Sequence, residues 1–230
     1  MKKIWYFLKP IVYSYTVQYL FIIIGISIFS FVSNNVNIFN SEDYIYKYTV
    51  IGMVISTIPI VIYLYNKYKI KESKIKLNKL LLMVPLGLSI SLFYNMLTIK
   101  FQMSATIDLN IILLVLYLVI FAPLFEEFVF RYIALRKARE NFSDKKAIIL
   151  VSIVFALMHS GILNIIYAFL IGVVLSYVYI KYKNIVYPLV LHISANLMSV
   201  CITDFNLIAL VASLLVLVIM TIYLKKQNHI

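Results

Sequence analysis

A chain of 230 residues that is 63% hydrophobic, with a mean hydropathy of +0.98 and only 13% charged side chains, has too little polar surface to cover a soluble globule. Continuous apolar runs recur from end to end, which selects an all-α, polytopic membrane helix bundle; a transmembrane barrel would alternate with a period of two. The net charge of +12 sits on segments that flank the apolar runs, as orientation by positive charge requires, and does not form a nucleic-acid surface.

In chain order, Met1-Lys2-Lys3 followed by apolar residues could open a signal peptide. Lys9-Pro10 interrupts that run and no small-x-small cleavage site follows the next one, so Ile4–Leu8 reads as an interfacial lead-in to a retained helix. About eight spans fit, at about 11–33, 48–66, 80–99, 110–131, 147–160, 163–181, 185–200 and 206–224. The fifth and seventh are short, which suits helices that tilt or border a water-filled cavity. No linker separates domains and no internal repeat is evident, so residues 1–230 are expected to form one transmembrane domain. The lone Cys201 excludes an intramolecular disulfide and reads as an ordinary residue at a helix end.

Of the 21 lysines and arginines, all but Lys47, Lys100 and Arg131 fall on one side of this eight-span arrangement. The other side also holds Glu42, Asp43, Asp108 and Asp204. The segregation places both termini in the cytoplasm. The basic loop 67–79 is then an orientation signal with some affinity for anionic lipid.

Six polar side chains interrupt the apolar helices: Glu126, Glu127, Arg131, His159, His192 and Asn196. An ionised group at the bilayer centre costs roughly 3 kcal/mol on insertion scales, so such residues mark a site. By helix rise, Glu126 lies roughly 8 Å from the cytoplasmic end of its span, with His192 roughly 10 Å and His159 roughly 18 Å into theirs. All three reach the same half of the bundle. Glu127 and Arg131 stand at i, i+4 and are expected to pair, which leaves Glu126, about 100° around the helix, to face a neighbour. In a dehydrated cavity the Glu126 carboxyl is suited to act as a general base. Pro123 and Pro188 are candidate kinks beside the site, and Phe130 is expected near its mouth. Phe155 and His159 share one face, as do His192 and Asn196, which can donate to an oxyanion. Taken singly, Asn196 would read as interhelical glue, each histidine as packing, and the acidic pair as interfacial. Their joint occurrence points to one site. Phe155 is the exception and reads as packing that supports His159.

Glu-Glu-x-x-x-Arg, Phe-x-x-x-His and His-x-x-x-Asn, in this order on successive helices, resemble the motifs of the CAAX protease and bacteriocin-processing family. This family is also called Abi or CPBP and includes the eukaryotic Ras-converting CAAX endopeptidase. The resemblance covers about residues 110–205. It implies an eight-helix bundle with a cytoplasm-facing site, in which Glu126 and His159 activate water while His192 and Asn196 stabilise the oxyanion. Glu127 and Arg131 complete the first motif. The resemblance further implies a peptide or protein substrate and a role in bacteriocin immunity or peptide maturation, and the short loops and absence of a targeting extension suit a bacterial plasma membrane. Zinc held by Glu126, His159 and His192 is the alternative, but no His-Glu-x-x-His helix is present and the glutamate is needed as base. A mechanism without metal or other cofactor is therefore expected. Two other classes remain: an ion-coupled transporter, for which the expected inverted repeats are lacking, and a non-catalytic immunity or interaction protein.

Overall fold

The computed structural model describes residues 2–32, 42–99, 111–202 and 204–226. Lys100 and Asp108 lie outside the described residues. Helix is the only regular structure among the described residues, as lipid demands: without water, each backbone N–H and C=O must be paired within its own segment. Hydroxyls follow the same rule. Ser27, Thr57, Ser194 and Thr221 each donate to the carbonyl four residues back, at 2.7–2.8 Å.

The helices are α1 (Lys2–Val32), α2 (Glu42–Tyr68), α3 (Leu77–Leu80), α4 (Met83–Thr98), α5 (Ile111–Leu116), α6 (Ala122–Glu127), α7 (Arg136–Arg139), α8 (Asp144–Leu157), α9 (Ile162–Tyr182), α10 (Val186–Cys201) and α11 (Leu207–Lys226). Two π-helical stretches, Tyr117–Phe121 and Phe128–Leu135, join α5, α6 and α7 end to end. Among the described residues, five helices are long and apolar enough to span a bilayer: Lys2–Ile28, Ile45–Tyr68, Leu77–Thr98, Ile112–Arg139 and Ile162–Tyr182. Val186–Cys201 and Leu207–Tyr223 are shorter apolar helices.

Three local expectations change. The chain does not break at Lys9-Pro10: α1 runs through Pro10, so Ile4–Leu8 is the first part of that helix rather than a separate lead-in. Pro10 stands past the first turn, so the helix gives up the bond its N–H would have made to the Tyr6 carbonyl and continues beyond it. At Pro123 the helix is not simply kinked but widens into π turns before and after it, which relieves the clash between the ring and the preceding turn. Pro188 lies in the first turn of α10, where its missing N–H has no intrahelical partner to lose, so it has no kink to cause.

The chain forms two compact units, Met1–Lys71 with Ala105–Ala147, and Glu72–Ser104 with Ile148–Ile230. In the first, α1 packs on α2 and on the π-helical stretch 128–135. Aromatic edges make the joints. Tyr15 meets Phe125 at 5.1 Å and Phe130 at 6.3 Å, both edge-on. Tyr132 stacks on Tyr65 and accepts a hydrogen bond from the Ile70 N–H at 3.0 Å.

In the second unit α4 packs against α10, α11 and α9. The segment 69–76 has no regular structure, yet its latter part is tied to the α9–α10 turn. Ser73 N–H donates to the Lys183 carbonyl, Asn184 Nδ2 to the Ser73 carbonyl and Lys76 N–H to the Tyr187 hydroxyl. The same strap caps α10. Glu72 Oε1 accepts from the Ile185 N–H at 2.8 Å, and Asn184 Oδ1 from the Val186 N–H at 2.9 Å, so two orphan donors of the helix start are satisfied. The carboxylate there also complements the helix dipole.

Gly87 sets the approach of α4 to α10. A Cβ at this position would collide with the Leu191 carbonyl and stand 3.0 Å from Ser194 Cβ. The obstacle is backbone and cannot rotate away. Gly87→Ala is expected to destabilise by about 1–3 kcal/mol, read as a lowered melting temperature in detergent. Gly25→Ala, with nothing within 4 Å of its added Cβ, is the control and is expected to be neutral or slightly stabilising.

Candidate active site

The first unit carries the first motif. Glu127 and Arg131 form an ion pair, Nη1 to Oε1 at 2.9 Å, with both side chains 0% exposed. The expected i, i+4 pairing is therefore present, in a fully dehydrated setting. Two opposite charges can be buried only together, since either alone would leave an uncompensated ion in a low-dielectric interior. The Arg131 guanidinium also lies 5.9 Å from the centre of the Phe130 ring. Glu126, the preceding residue, is half-buried. Phe130 is not at a mouth: it is completely buried, because its ring packs at the joint with Tyr15.

The second unit carries the other two motifs, and Phe155 links them. Its ring, 1% exposed, meets His159 edge-on at 4.9 Å and His192 at 6.1 Å. The packing reading of Phe155 is thus correct, and the residue supports both histidines rather than one. Gly172 on α9 makes the space: a Cβ there would lie 3.1 Å from Phe155 Cδ1 and 3.3 Å from Ser152 Cβ. α8 ends at Leu157, and the backbone tightens to i→i−3 bonds from Met158 to Phe155 and from His159 to Ala156. His159 consequently follows the helix end and is only partly buried.

That turn also decides the tautomer of His159. Its Nδ1 lies 2.9 Å from the Phe155 carbonyl oxygen, which can only accept. Nδ1 must therefore carry the proton, and in the neutral ring Nε2 is the basic nitrogen. His192 (4% exposed) and half-buried Asn196 lie one turn apart on α10, whose start is capped by Glu72 and Asn184. Cys201 is exposed at the end of the same helix, as expected.

The ordered triplet of motifs has a counterpart among known proteins. Residues 108–198 match the family described as Type II CAAX prenyl endopeptidase Rce1-like, and all six polar residues lie inside the match. This segment is similar to the CAAX protease family. No curated protein and no solved structure is significantly similar to the chain. The match agrees with the resemblance seen in the motifs. Among the described residues, no three His, Cys, Asp or Glu side chains are grouped to hold a metal ion.

Sequence reasoning missed residues that support the second and third motifs. Glu72 and Asn184, which cap α10, could have been sought from the Asn just ahead of an apolar run with a Pro in its first turn. Gly87 and Gly172 had the weaker signal of a lone glycine inside an apolar helix.

The buried pair generates a stability prediction. Glu127→Leu or Arg131→Met, each leaving one ion behind, should destabilise by about 3–5 kcal/mol. The double variant Glu127→Leu with Arg131→Met should recover most of that loss. A double-mutant cycle on thermal or denaturant unfolding measures the coupling; additive effects would mean that the two charges do not depend on each other.

Proposed function

We propose that the chain is an intramembrane endopeptidase that hydrolyses a peptide bond at a site facing the cytoplasm, with Glu126 and His159 activating water. The observation that carries this reading is the coincidence of the family match at 108–198 with all three motifs, including two histidines buttressed by one phenylalanine. The Glu126 carboxylate takes a proton from water while His159 Nε2 holds that water by accepting its second hydrogen. The hydroxide attacks the carbonyl carbon, and the tetrahedral oxyanion receives hydrogen bonds from Asn196 Nδ2 and a His192 N–H. The proton on Glu126 then passes to the departing amine nitrogen as the C–N bond breaks. Glu127 and Arg131 act by positioning: their pairing holds the turn from which Glu126 projects.

The segregation of lysines and arginines supports cytoplasmic termini, and the reading extends to a bacterial plasma membrane and to peptide maturation or bacteriocin immunity. The proposed mechanism uses Glu126 itself as the base and calls for no metal, while the contact of His159 Nδ1 with the Phe155 carbonyl leaves Nε2 open either to water or to a metal ion, so metal dependence is decided by experiment.

Purified protein in detergent, offered a peptide library, tests the activity. Glu126→Gln and His159→Ala should keep the wild-type melting temperature and lose cleavage by at least about 10²-fold. Asn196→Ala should lower kcat by about 10²–10³-fold with little change in KM. Wild-type turnover by Glu126→Gln refutes the assignment of the base, and an Asn196 effect on melting alone makes that residue interhelical glue.

Metal removal separates the two mechanisms. Activity is expected to survive exhaustive treatment with zinc chelators, and elemental analysis to find well below one equivalent of metal. Chelator inactivation reversed by added zinc would establish the zinc mechanism instead, with Glu126, His159 and His192 as ligands.

A further inference from the structure

In the first unit, remote in sequence from the histidine motifs, α1, α2 and α7 enclose a cavity of about 280 Å³ with a basic rim. Lys9, Lys67 and Lys137 line it together with Tyr13, Tyr63 and Tyr68, and no Asp or Glu is among its lining residues. The nearest acidic contact of this cluster, Glu140, accepts the Tyr6 hydroxyl at 2.8 Å, while Lys137 Nζ sits 4.2 Å from the centre of the Tyr6 ring.

The lysines are held rather than splayed. Lys67 donates to the Tyr63 hydroxyl at 2.9 Å and lies 5.1–5.8 Å from the ring centres of Tyr13, Tyr63 and Tyr68. Lys137 lies 5.6 Å from the Tyr68 ring. Ordering these long side chains in advance lowers the entropic cost of binding an anion. One of the three N–H donors of Lys67 goes to Tyr63, and the ammonium keeps its full charge.

The cavity continues into an apolar groove. Tyr13, Tyr63 and Leu64 line both, and the groove, of about 220 Å³, proceeds along Ser14, Val17, Phe21, Pro59 and Ile60 between α1 and α2. From Lys9 to Phe21 is twelve residues of helix, about 18 Å by helix rise. One leaflet of hydrocarbon is about 15 Å deep. Ser14, buried and with its Oγ lacking a hydrogen-bond partner among the described residues, lies five residues below Lys9, about 7 Å. That is the depth at which an ester carbonyl hangs below a phosphate.

We infer that this basic cavity and its apolar groove form a binding site for one anionic phospholipid, phosphate among Lys9, Lys67 and Lys137 and an acyl chain between α1 and α2. Three cations without a lining anion select negative charge, the groove selects a chain of single-leaflet length, and the Ser14 hydroxyl donates to the linkage between them. A zwitterionic lipid would fill the same groove without the electrostatic gain. Attraction of one lysine to an anionic headgroup corresponds to about fivefold in affinity.

Native mass spectrometry of the full chain in detergent, with equimolar phosphatidylglycerol and phosphatidylcholine, tests the site. Phosphatidylglycerol should be retained in preference, by tenfold or more. Lys9→Gln, Lys67→Gln and Lys137→Gln should each reduce that preference about fivefold, while Lys71→Gln with Lys74→Gln, on the exposed loop, should leave it unchanged. Ile60→Trp, which fills the groove, should weaken retention of both lipids. Melting temperature in phosphatidylcholine reports whether each variant is folded, and a variant that is not is replaced by the Lys→Met substitution at the same position. Equal retention of the two lipids overturns the proposal in favour of ordinary annular lipid. Loss of preference only in the loop variant overturns it in favour of diffuse surface charge. Binding of inorganic phosphate with the same lysine dependence, and as tightly as the lipid, would make the cavity a phosphate site and overturn the lipid assignment.

Discussion

Glu127 and Arg131 are both fully buried, and neither could be without the other. Their 2.9 Å contact lies where α6 passes into the π-helical stretch Phe128–Leu135, so the charge pair and the widened backbone occupy the same turns. Around them the first unit is built of rings: Tyr15 against Phe125 and Phe130, Tyr132 against Tyr65 and Phe128. Aromatic edges pack against a polar centre without adding charges of their own. The half-buried Glu126 is carried by this scaffold, one residue from its only fully buried acidic neighbour among the described residues.

The same economy of polar groups governs the second unit. There the histidines are held by Phe155, by a carbonyl that takes the Nδ1 proton of His159, and by a helix start whose N–H groups are claimed by Glu72 and Asn184. None of these partners is chemically reactive. Their effect is to hold the Nδ1 proton of His159 on a carbonyl, which makes Nε2 the basic nitrogen, and to fix the start of α10.

Glycine plays the complementary part. At Gly87 and Gly172 the missing side chain lets helices approach until a backbone carbonyl or the Phe155 ring fills the space. Close approach of small residues is a general means of packing helices where lipid supplies no hydrophobic drive between them. Here both contacts adjoin motif residues: Gly87 meets Leu191 beside His192, and Gly172 meets Phe155.

Much of the protein was legible in the chain alone. Apolar runs and the absence of period-two alternation determined a helical membrane protein, because lipid admits few other backbones. The i, i+4 spacing of Glu127 and Arg131 determined their pairing, and three spaced motifs pointed to the family whose model residues 108–198 match. The π turns around Pro123 were not legible, since a proline signals only that a hydrogen bond is lost and not how the chain relaxes. Nor was the burial of Phe130, which depends on a ring from α1 over a hundred residues away. The capping of α10 by Glu72, and the linking of His159 to His192 through one phenylalanine, likewise belong to the tertiary structure. Helical periodicity states which residues share a face, but the partner of that face is chosen by packing between segments distant in sequence, and only the folded chain brings those together.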